Sequence, residues 1–331
     1  MESKHFLVTG GAGFIGSHLV DALLEQGHRV TVLDNLSTGK RENIAHQMSH
    51  SRFRFVRGSI LDAPLMDRLV AEADSIYHLA AVVGVKYVVD DPLEGMLINI
   101  KGTEMVLEAA LRHGRKVLIA SSSEVYGKSM QAPFRETDDS IFGPTSIPRW
   151  SYALSKTLDE HFAFAYHRQR GLATAAVRYF NAYGPRLDPN GYGSVVARFI
   201  TQALTGQNLT VYGDGQQTRS FTFVADTVRG TMAAMSTPEA EGLAFNIGNP
   251  REISITALAH QIRALVGADV DVVRVPYAQA YGPDFEETRR RLPDSSRAAE
   301  ILGFRAEMPL DIGLQKTIAW FEEHQDELIS T

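Results

Sequence analysis

Thr9-Gly10-Gly11-Ala12-Gly13-Phe14-Ile15-Gly16 sets three glycines three residues apart, between two runs of different periodicity. Before it, His5–Thr9 is a short apolar run cut off by the first glycine, the pattern of a buried strand. After it, Ile15, Leu19, Val20, Leu23 and Leu24 fall on one face of a helix over 15–26, which Gly27 closes as a C-cap. A glycine motif alone is weak; between a strand and a helix it has the context that a dinucleotide site requires. Gly10 permits the tight turn, Gly13 lets backbone approach a pyrophosphate, and Gly16 lets the helix pack close to the sheet. The helix N-terminus, with Phe14 and Ile15 at its start, offers free N–H groups and a positive dipole end to the phosphates.

Eighteen residues past Gly16, the apolar run 29–33 ends at Asp34. A carboxylate there can bind the 2′- and 3′-hydroxyls of an adenosine ribose and repels a 2′-phosphate, so NAD is expected rather than NADP. Asn35 follows, and Ser37, Thr38 and Gly39 can add hydrogen bonds to the ribose. Further apolar runs at Phe53–Arg57, 76–79 and 117–120 alternate with helical patterns. Short, continuous apolar strands are those of a parallel sheet buried on both faces. The expected fold is α/β: a Rossmann-type doubly wound parallel sheet over 1–178, carrying the cofactor and the catalytic residues. Beyond it the alternation loosens. Asn181 to Gly193 is rich in glycine and proline and reads as a loop. Helical patterns follow at Val195–Leu204, 224–235, 255–265 and Leu310–Glu323, with short strands near Leu209–Tyr212, Ala244–Ile247 and 270–274. They suggest a smaller C-terminal α/β substrate lobe over 179–331, with room for some segments to return to the sheet and a cleft between the lobes.

Composition narrows the function. The 331 residues suffice for a large core, and 44% hydrophobic and 22% charged residues are ordinary for a globular protein. A net charge of −6 argues against a nucleic-acid-binding face. The basic run Arg289-Arg290-Arg291, taken alone, is a solvated surface. With no cysteine, disulfides, thiolate catalysis and cysteine zinc sites are excluded, which fits a reducing cytoplasm. Residues 1–12 lack a signal-peptide pattern, and no apolar run approaches the roughly 20 residues of a membrane helix. The eleven histidines lack paired ligand spacing, so no metal is expected.

Ser151-Tyr152-Ala153-Leu154-Ser155-Lys156 opens another helical pattern, continued by Leu158, Phe162, Ala165 and Tyr166. Tyr152 and Lys156, four apart, share a helix face. A free phenol, with a pKa of about 10, is a poor base at neutral pH. A nearby ammonium and a nicotinamide cation favour the phenolate, which can then take a proton from a sugar hydroxyl while hydride leaves for NAD⁺. The run 117–120 leads into Ser121-Ser122-Ser123-Glu124-Val125-Tyr126-Gly127. Hydroxyls at the carboxyl end of a central strand lie where open α/β sheets bind ligands. One of these serines can orient the reacting oxygen; capping a turn is their other use.

Together these residues resemble an extended short-chain dehydrogenase/reductase of the nucleotide-sugar epimerase, dehydratase and decarboxylase group. The likeness covers nearly the whole chain. It includes the three glycines, Asp34, His78-Leu79-Ala80-Ala81, Asn99 in Asn99-Ile100-Lys101-Gly102-Thr103, the serine–glutamate stretch, Tyr152 and Lys156. It continues through Arg178-Tyr179-Phe180-Asn181, Tyr183-Gly184-Pro185-Arg186, Tyr212-Gly213-Asp214-Gly215, Thr218-Arg219 and Asn246-Ile247-Gly248. The resemblance implies that Ser122 completes a serine–tyrosine–lysine triad, with Glu124 beside it. It implies that Ser59, Ile60, Leu79, Ala80, Ala81, Asn99 and Tyr179 join the cofactor site. It implies that Ser123, Lys86, Asn181, Val196, Tyr212, Arg219 and Arg291 hold the substrate, a nucleotide sugar taken as UDP-linked. Arg291 thereby leaves the solvated run, since a guanidinium suits a pyrophosphate. One departure is Ser59, where the family usually has an aspartate facing the adenine; a serine can still accept that hydrogen bond.

The members of this group open by taking hydride from C4 of the sugar to give a 4-keto intermediate. The 4,6-dehydratases carry Asp-Glu before Val-Tyr-Gly; here the pair is Ser123-Glu124, so dehydration is not expected. UDP-glucuronate decarboxylases carry Ser-Glu, and Pro148-Arg149-Trp150 and residues 281–293 also look like one branch of them. They place a Pro-x-x-Tyr where this chain reads Val83-Gly84-Val85-Lys86-Tyr87, and that stretch, with Asp188-Pro189-Asn190-Gly191-Tyr192-Gly193, is more similar to 4-epimerases. The expected reaction is therefore epimerisation at C4. The alternative is decarboxylation of UDP-glucuronate to UDP-xylose or a UDP-4-keto-pentose, and a second alternative is a non-catalytic NAD-binding protein. Lys86, Tyr87 and Arg186 are candidates to grip a substrate carboxylate. The patterns at 94–112 and 152–170 are apolar on more than one face, which suits a dimer-forming helix bundle or packing on the sheet; a homodimer is expected.

Overall fold

The computed structural model describes residues 2–83, 91–188, 194–281 and 286–325. Its main sheet uses β1 (His5–Thr9), β2 (Arg29–Asp34), β3 (Phe53–Arg57), β4 (Ser75–His78), β5 (Lys116–Ser122) and β6 (Thr174–Tyr179). A seventh strand, Ala244–Ile247, returns from far along the chain to pair with β6. The order across the sheet is Ala244–Ile247, β6, β5, β4, β1, β2, β3, and every pair is parallel. β1 to β5 and Ala244–Ile247 begin and end within two residues of the sequence expectation, whereas β6 is not assigned as a strand from the sequence.

Strand alternation explains the two covering layers. Successive side chains point to opposite faces, so Val8, Val30 and Val32 join one core and Leu7, Leu33, Ile76 and Ile119 the other. The first core is covered by α1 (Phe14–Glu25), which buries Leu19, Val20 and Leu23, and by the helix Val224–Ser236, which adds Val224 and Val228. The second is covered by α2 (Ala63–Glu72), α3 (Pro92–His113) and α4 (Trp150–Arg170), through residues such as Met66, Leu69, Val106, Leu107 and Ala163. Each fully buried Leu or Val stabilises by about 1.5–3 kcal/mol relative to exposure, so both layers are strongly fixed. The helix ends follow local chemistry. Asp62 accepts from Leu65 N–H at 3.1 Å to cap α2, and Asp91 accepts from Glu94 N–H at 3.1 Å to cap α3. Gly114 and Gly171 end α3 and α4 in the left-handed conformation. On the outer surface of these helices Leu93, Leu154 and Leu158 are exposed.

The remaining segments build the smaller lobe. Helices Val195–Leu204, Ile255–Val266 and Leu310–Glu323 enclose Phe199, Ile200, Leu258, Ile262, Leu314 and Phe321. Leu209–Tyr212 pairs in parallel with Val272–Val275. Arg290–Arg291 pairs in parallel with Thr218–Ser220, which sets Arg291 opposite Arg219. Among the described residues no helix is long and apolar enough to cross a membrane.

Candidate active site

A cavity of about 1100 Å³ opens at the carboxyl ends of the strands, between the sheet and the smaller lobe. The sheet order reverses between β1 and β4, and ligands of open α/β sheets bind at such a switch point. The size exceeds a typical single-ligand site, as two ligands bound end to end require.

The residues at one end fit a dinucleotide. Gly10 has φ +72°, and a Cβ there would lie 2.7 Å from Ala80 N. A Cβ on Gly16 would run into Gly10 O and lie 2.8 Å from Gly11 Cα. Both obstacles are backbone, so neither can give way, and the loop and helix stay close enough to cradle a diphosphate. Asp34 is held in orientation: Oδ2 accepts from Ala12 N–H at 2.9 Å and Oδ1 from Leu36 N–H at 2.8 Å. Each oxygen keeps a lone pair for a ribose hydroxyl. Leu36 takes a left-handed φ of +62°, a conformation tied down by that bond to Asp34. Gly13, Phe14, Ile15, Asn35, Ser37, Thr38 and Gly39 line this end, as do Ser59, Ile60, Leu79, Ala80, Ala81 and Tyr179. The Asn35 and Ser59 side chains also brace their own turns, accepting from Ser37 and Leu61 N–H groups.

Asn99 lies behind the cavity wall: it is buried, accepts from Val82 N–H at 2.7 Å and donates to Ser155 Oγ at 3.1 Å. Its amide stitches the segment after β4 to α4, so it shapes the cofactor site from behind.

The catalytic candidates meet in the middle of the cavity. Ser122, Glu124, Tyr152 and Lys156 all line it. Ser121 is occupied by Glu160, to which it donates at 2.5 Å, whereas the Ser122 hydroxyl lies by the Tyr152 phenol and favours its ionised form. The electrostatics differ from expectation. Burial pushes the Tyr152 phenol above its ordinary value and the Glu124 charge adds to this, while Ser122 and Arg291 pull the other way. Lys156 is not among the largest influences on the phenol in the chain alone. Lys156 donates to Asp159 Oδ2 at 3.0 Å inside a buried ion pair, so its charge is largely met there.

The sugar end is dominated by arginines. Glu124 faces Arg291 Nη1 at 2.7 Å and Arg149 Nη2 at 3.5 Å. Burial alone would raise the Glu124 carboxyl, but Arg149 and Arg291, with Arg219 behind them, overcome it and hold the pKa at about 2. Arg219 pairs with Glu287 at 2.5 Å. Tyr212 lies under the Arg198 guanidinium, 4.0 Å from its ring centroid. Asn181, Ser123, Tyr212, Arg219 and Arg291 line the cavity, while Arg289 and Arg290 stay exposed, paired with Asp214 and Glu252. The Val196 side chain is fully buried in the lobe core, while its neighbours Ser194, Val195 and Arg198 line the cavity. The helix Val195–Leu204 turns residue 196 inward. Lys86 and Tyr87 lie outside the described residues. Arg186 lines the cavity but is paired with Asp21 at 2.7 Å. Arg149, Arg198, Tyr277 and Glu287 were not foreseen as site residues; the Pro148-Arg149-Trp150 likeness was the available signal for the first.

The chain matches the profile of the NAD dependent epimerase/dehydratase family over residues 6–248. It is 44% identical to the UDP-N-acetyl-alpha-D-glucosaminuronate decarboxylase of Bacillus cytotoxicus, over 98% of this chain and 99% of that protein. It is 39% identical to UDP-glucuronic acid decarboxylase 1 of Xenopus tropicalis, over 98% of this chain and 74% of that one. Among solved structures, the UDP-glucose 4-epimerase of Thermotoga maritima with UDP-glucose superposes with a TM-score of 0.88 and 33% identity, covering 97% of this chain and 99% of that chain.

Proposed function

This chain belongs to the NAD-dependent epimerase/dehydratase family, and within that family we propose that it decarboxylates a UDP-hexuronate. Epimerisation at C4, the reaction first expected, has weaker support: the relatives at 44% and 39% identity are decarboxylases by name, while the 4-epimerase structure is 33% identical. The observation that carries the reading is Glu124 held between Arg149 and Arg291.

The chemistry follows from β-keto acids. NAD held by the glycine loop and Asp34 would supply a reversible hydride acceptor for sugar C4. Tyr152 takes the C4 hydroxyl proton, with Ser122 orienting that oxygen. The new C4 ketone is β to the C6 carboxylate. The C5–C6 bond breaks, carbon dioxide leaves, and the electron pair moves through C5 to the C4 oxygen as an enolate. Tyr152, now protonated, and Ser122 donate to that oxygen. A proton from solvent then enters at C5, so each turnover consumes one proton and releases one carbon dioxide.

Two guanidiniums next to this centre suit a substrate carboxylate. Unopposed, they would also hold the carboxylate too firmly, because it must leave as a neutral molecule, and ground-state binding does not lower the barrier. Glu124 offsets one of those charges. Arg149 and Arg291 hold its carboxyl well below the usual carboxylate range, so it is an anion at neutral pH. An epimerase needs only space for the 4-keto ring to turn over.

Incubation in D₂O with UDP-glucuronate and with UDP-N-acetylglucosaminuronate tests the proposal. Expected are stoichiometric carbon dioxide, one deuterium at C5 of the lighter product, and no reduced cofactor released in proportion to product. A product of unchanged mass with inverted C4 returns the epimerase reading. No turnover despite bound NAD returns the non-catalytic one.

A further inference from the structure

We propose that Asp159 is a positioning residue for the Tyr152–Lys156 pair: its carboxylate holds the Lys156 ammonium, shares its charge, and so sets the pH at which Tyr152 can take a proton. Asp159 lies one turn beyond Lys156 on α4 and is completely buried. Its Oδ2 accepts from Lys156 Nζ at 3.0 Å, and Thr103 on α3 adds a polar contact that, like Lys156, favours the ionised carboxyl.

The structural task is already filled by the next residue. Glu160 accepts from Arg178 Nε at 2.9 Å and Nη2 at 2.7 Å, and from Ser121 as well, while Arg178 Nη1 donates to the Tyr126 hydroxyl at 2.9 Å. That network ties α4 to β5 and β6 without Asp159. What Asp159 touches is the catalytic lysine.

The charges around the pair come from four elements. On α4 they are Lys156, Asp159 and Glu160; after β5, Glu124; on the strand Arg290–Arg291, Arg291; on β4, His78, which burial and then Lys156 hold at about 3 and therefore neutral. Burial raises the Asp159 carboxyl and Lys156 opposes it, so the ammonium is what keeps the carboxylate ionised. An ionised Asp159 in turn weakens the field of Lys156 at Tyr152. Replacing the carboxylate with a neutral amide leaves Lys156 acting on the phenol alone, and the phenolate then forms at lower pH.

The inference rests on Tyr152 being the base of the proposed reaction, yet it can be read without turnover. With NAD bound, the Tyr152 phenolate is followed by ultraviolet difference titration against Tyr152→Phe in each background. Asp159→Asn is expected to move the Tyr152 titration, and the acid limb of kcat/KM, down by about 1 pH unit. In a Lys156→Met background the same substitution is expected to move the titration no further. An unchanged titration in Asp159→Asn overturns the proposal, as does an equal movement with Lys156 absent. Should the amide variant not fold, Asp159→Leu gives the same reading with no buried polar group to satisfy. A failure to release carbon dioxide would bear on the decarboxylase reading only, because the titration needs no sugar.

Discussion

Removing one oxygen from Tyr152 separates chemistry from binding. Tyr152→Phe keeps the ring that lines the cavity and loses the group that moves the proton. It is expected to lower kcat by about 10²–10⁴-fold, with the NAD content of the purified protein unchanged. A variant with more than a tenth of the original activity would contradict the assignment. At this scale the sequence was most informative where one residue type has one physical use. Gly10 and Asp34 are such positions: the first needs a left-handed turn and the second a fixed carboxylate at a strand end. It was least informative where the partner is remote. The pairing of Glu124 with Arg291, far apart in the chain, is not a matter of spacing. Asn99 and Val196 show a related limit. Each sits in the right segment, but which way a side chain turns is decided by the packing of the whole helix.

The glycine loop and α1 act as one element. A methyl group on Gly16 meets Gly10 O and Gly11 Cα, both backbone. Gly16→Ala must therefore push α1 away from the loop that would hold the diphosphate. The expected result is loss of bound NAD and a destabilisation of about 1–3 kcal/mol, measured as thermal unfolding with and without added cofactor. Full NAD retention would show that the helix does not set the cradle. Elements of this length were legible because four or more residues repeat a pattern. The strands Thr218–Ser220, Glu252–Ser254 and Arg290–Arg291 are too short to carry a period, yet the last two flank the first and bring Arg219 beside Arg291. That is why the sugar end was named residue by residue from a likeness, and not assembled from elements.

Across the whole molecule, the strand Ala244–Ile247 completes the main sheet, and the helix Val224–Ser236 covers α1. The family profile likewise ends at residue 248, one position after that strand. A fragment ending after residue 178 lacks both pieces. It leaves the outer edge of β6 unpaired and bares the apolar surface of α1. Such a fragment is expected to be recovered insoluble and without NAD; a soluble fragment with cooperative unfolding would refute this. The late seventh strand also dictates events during synthesis. The nascent chain emerges from the ribosome with β1 to β6 in hand and one sheet edge still open, and it stays so while the intervening segments are translated. Its most aggregation-prone moment therefore falls in mid-translation, before residue 247 is free to pair, when a chaperone shielding β6 would matter most.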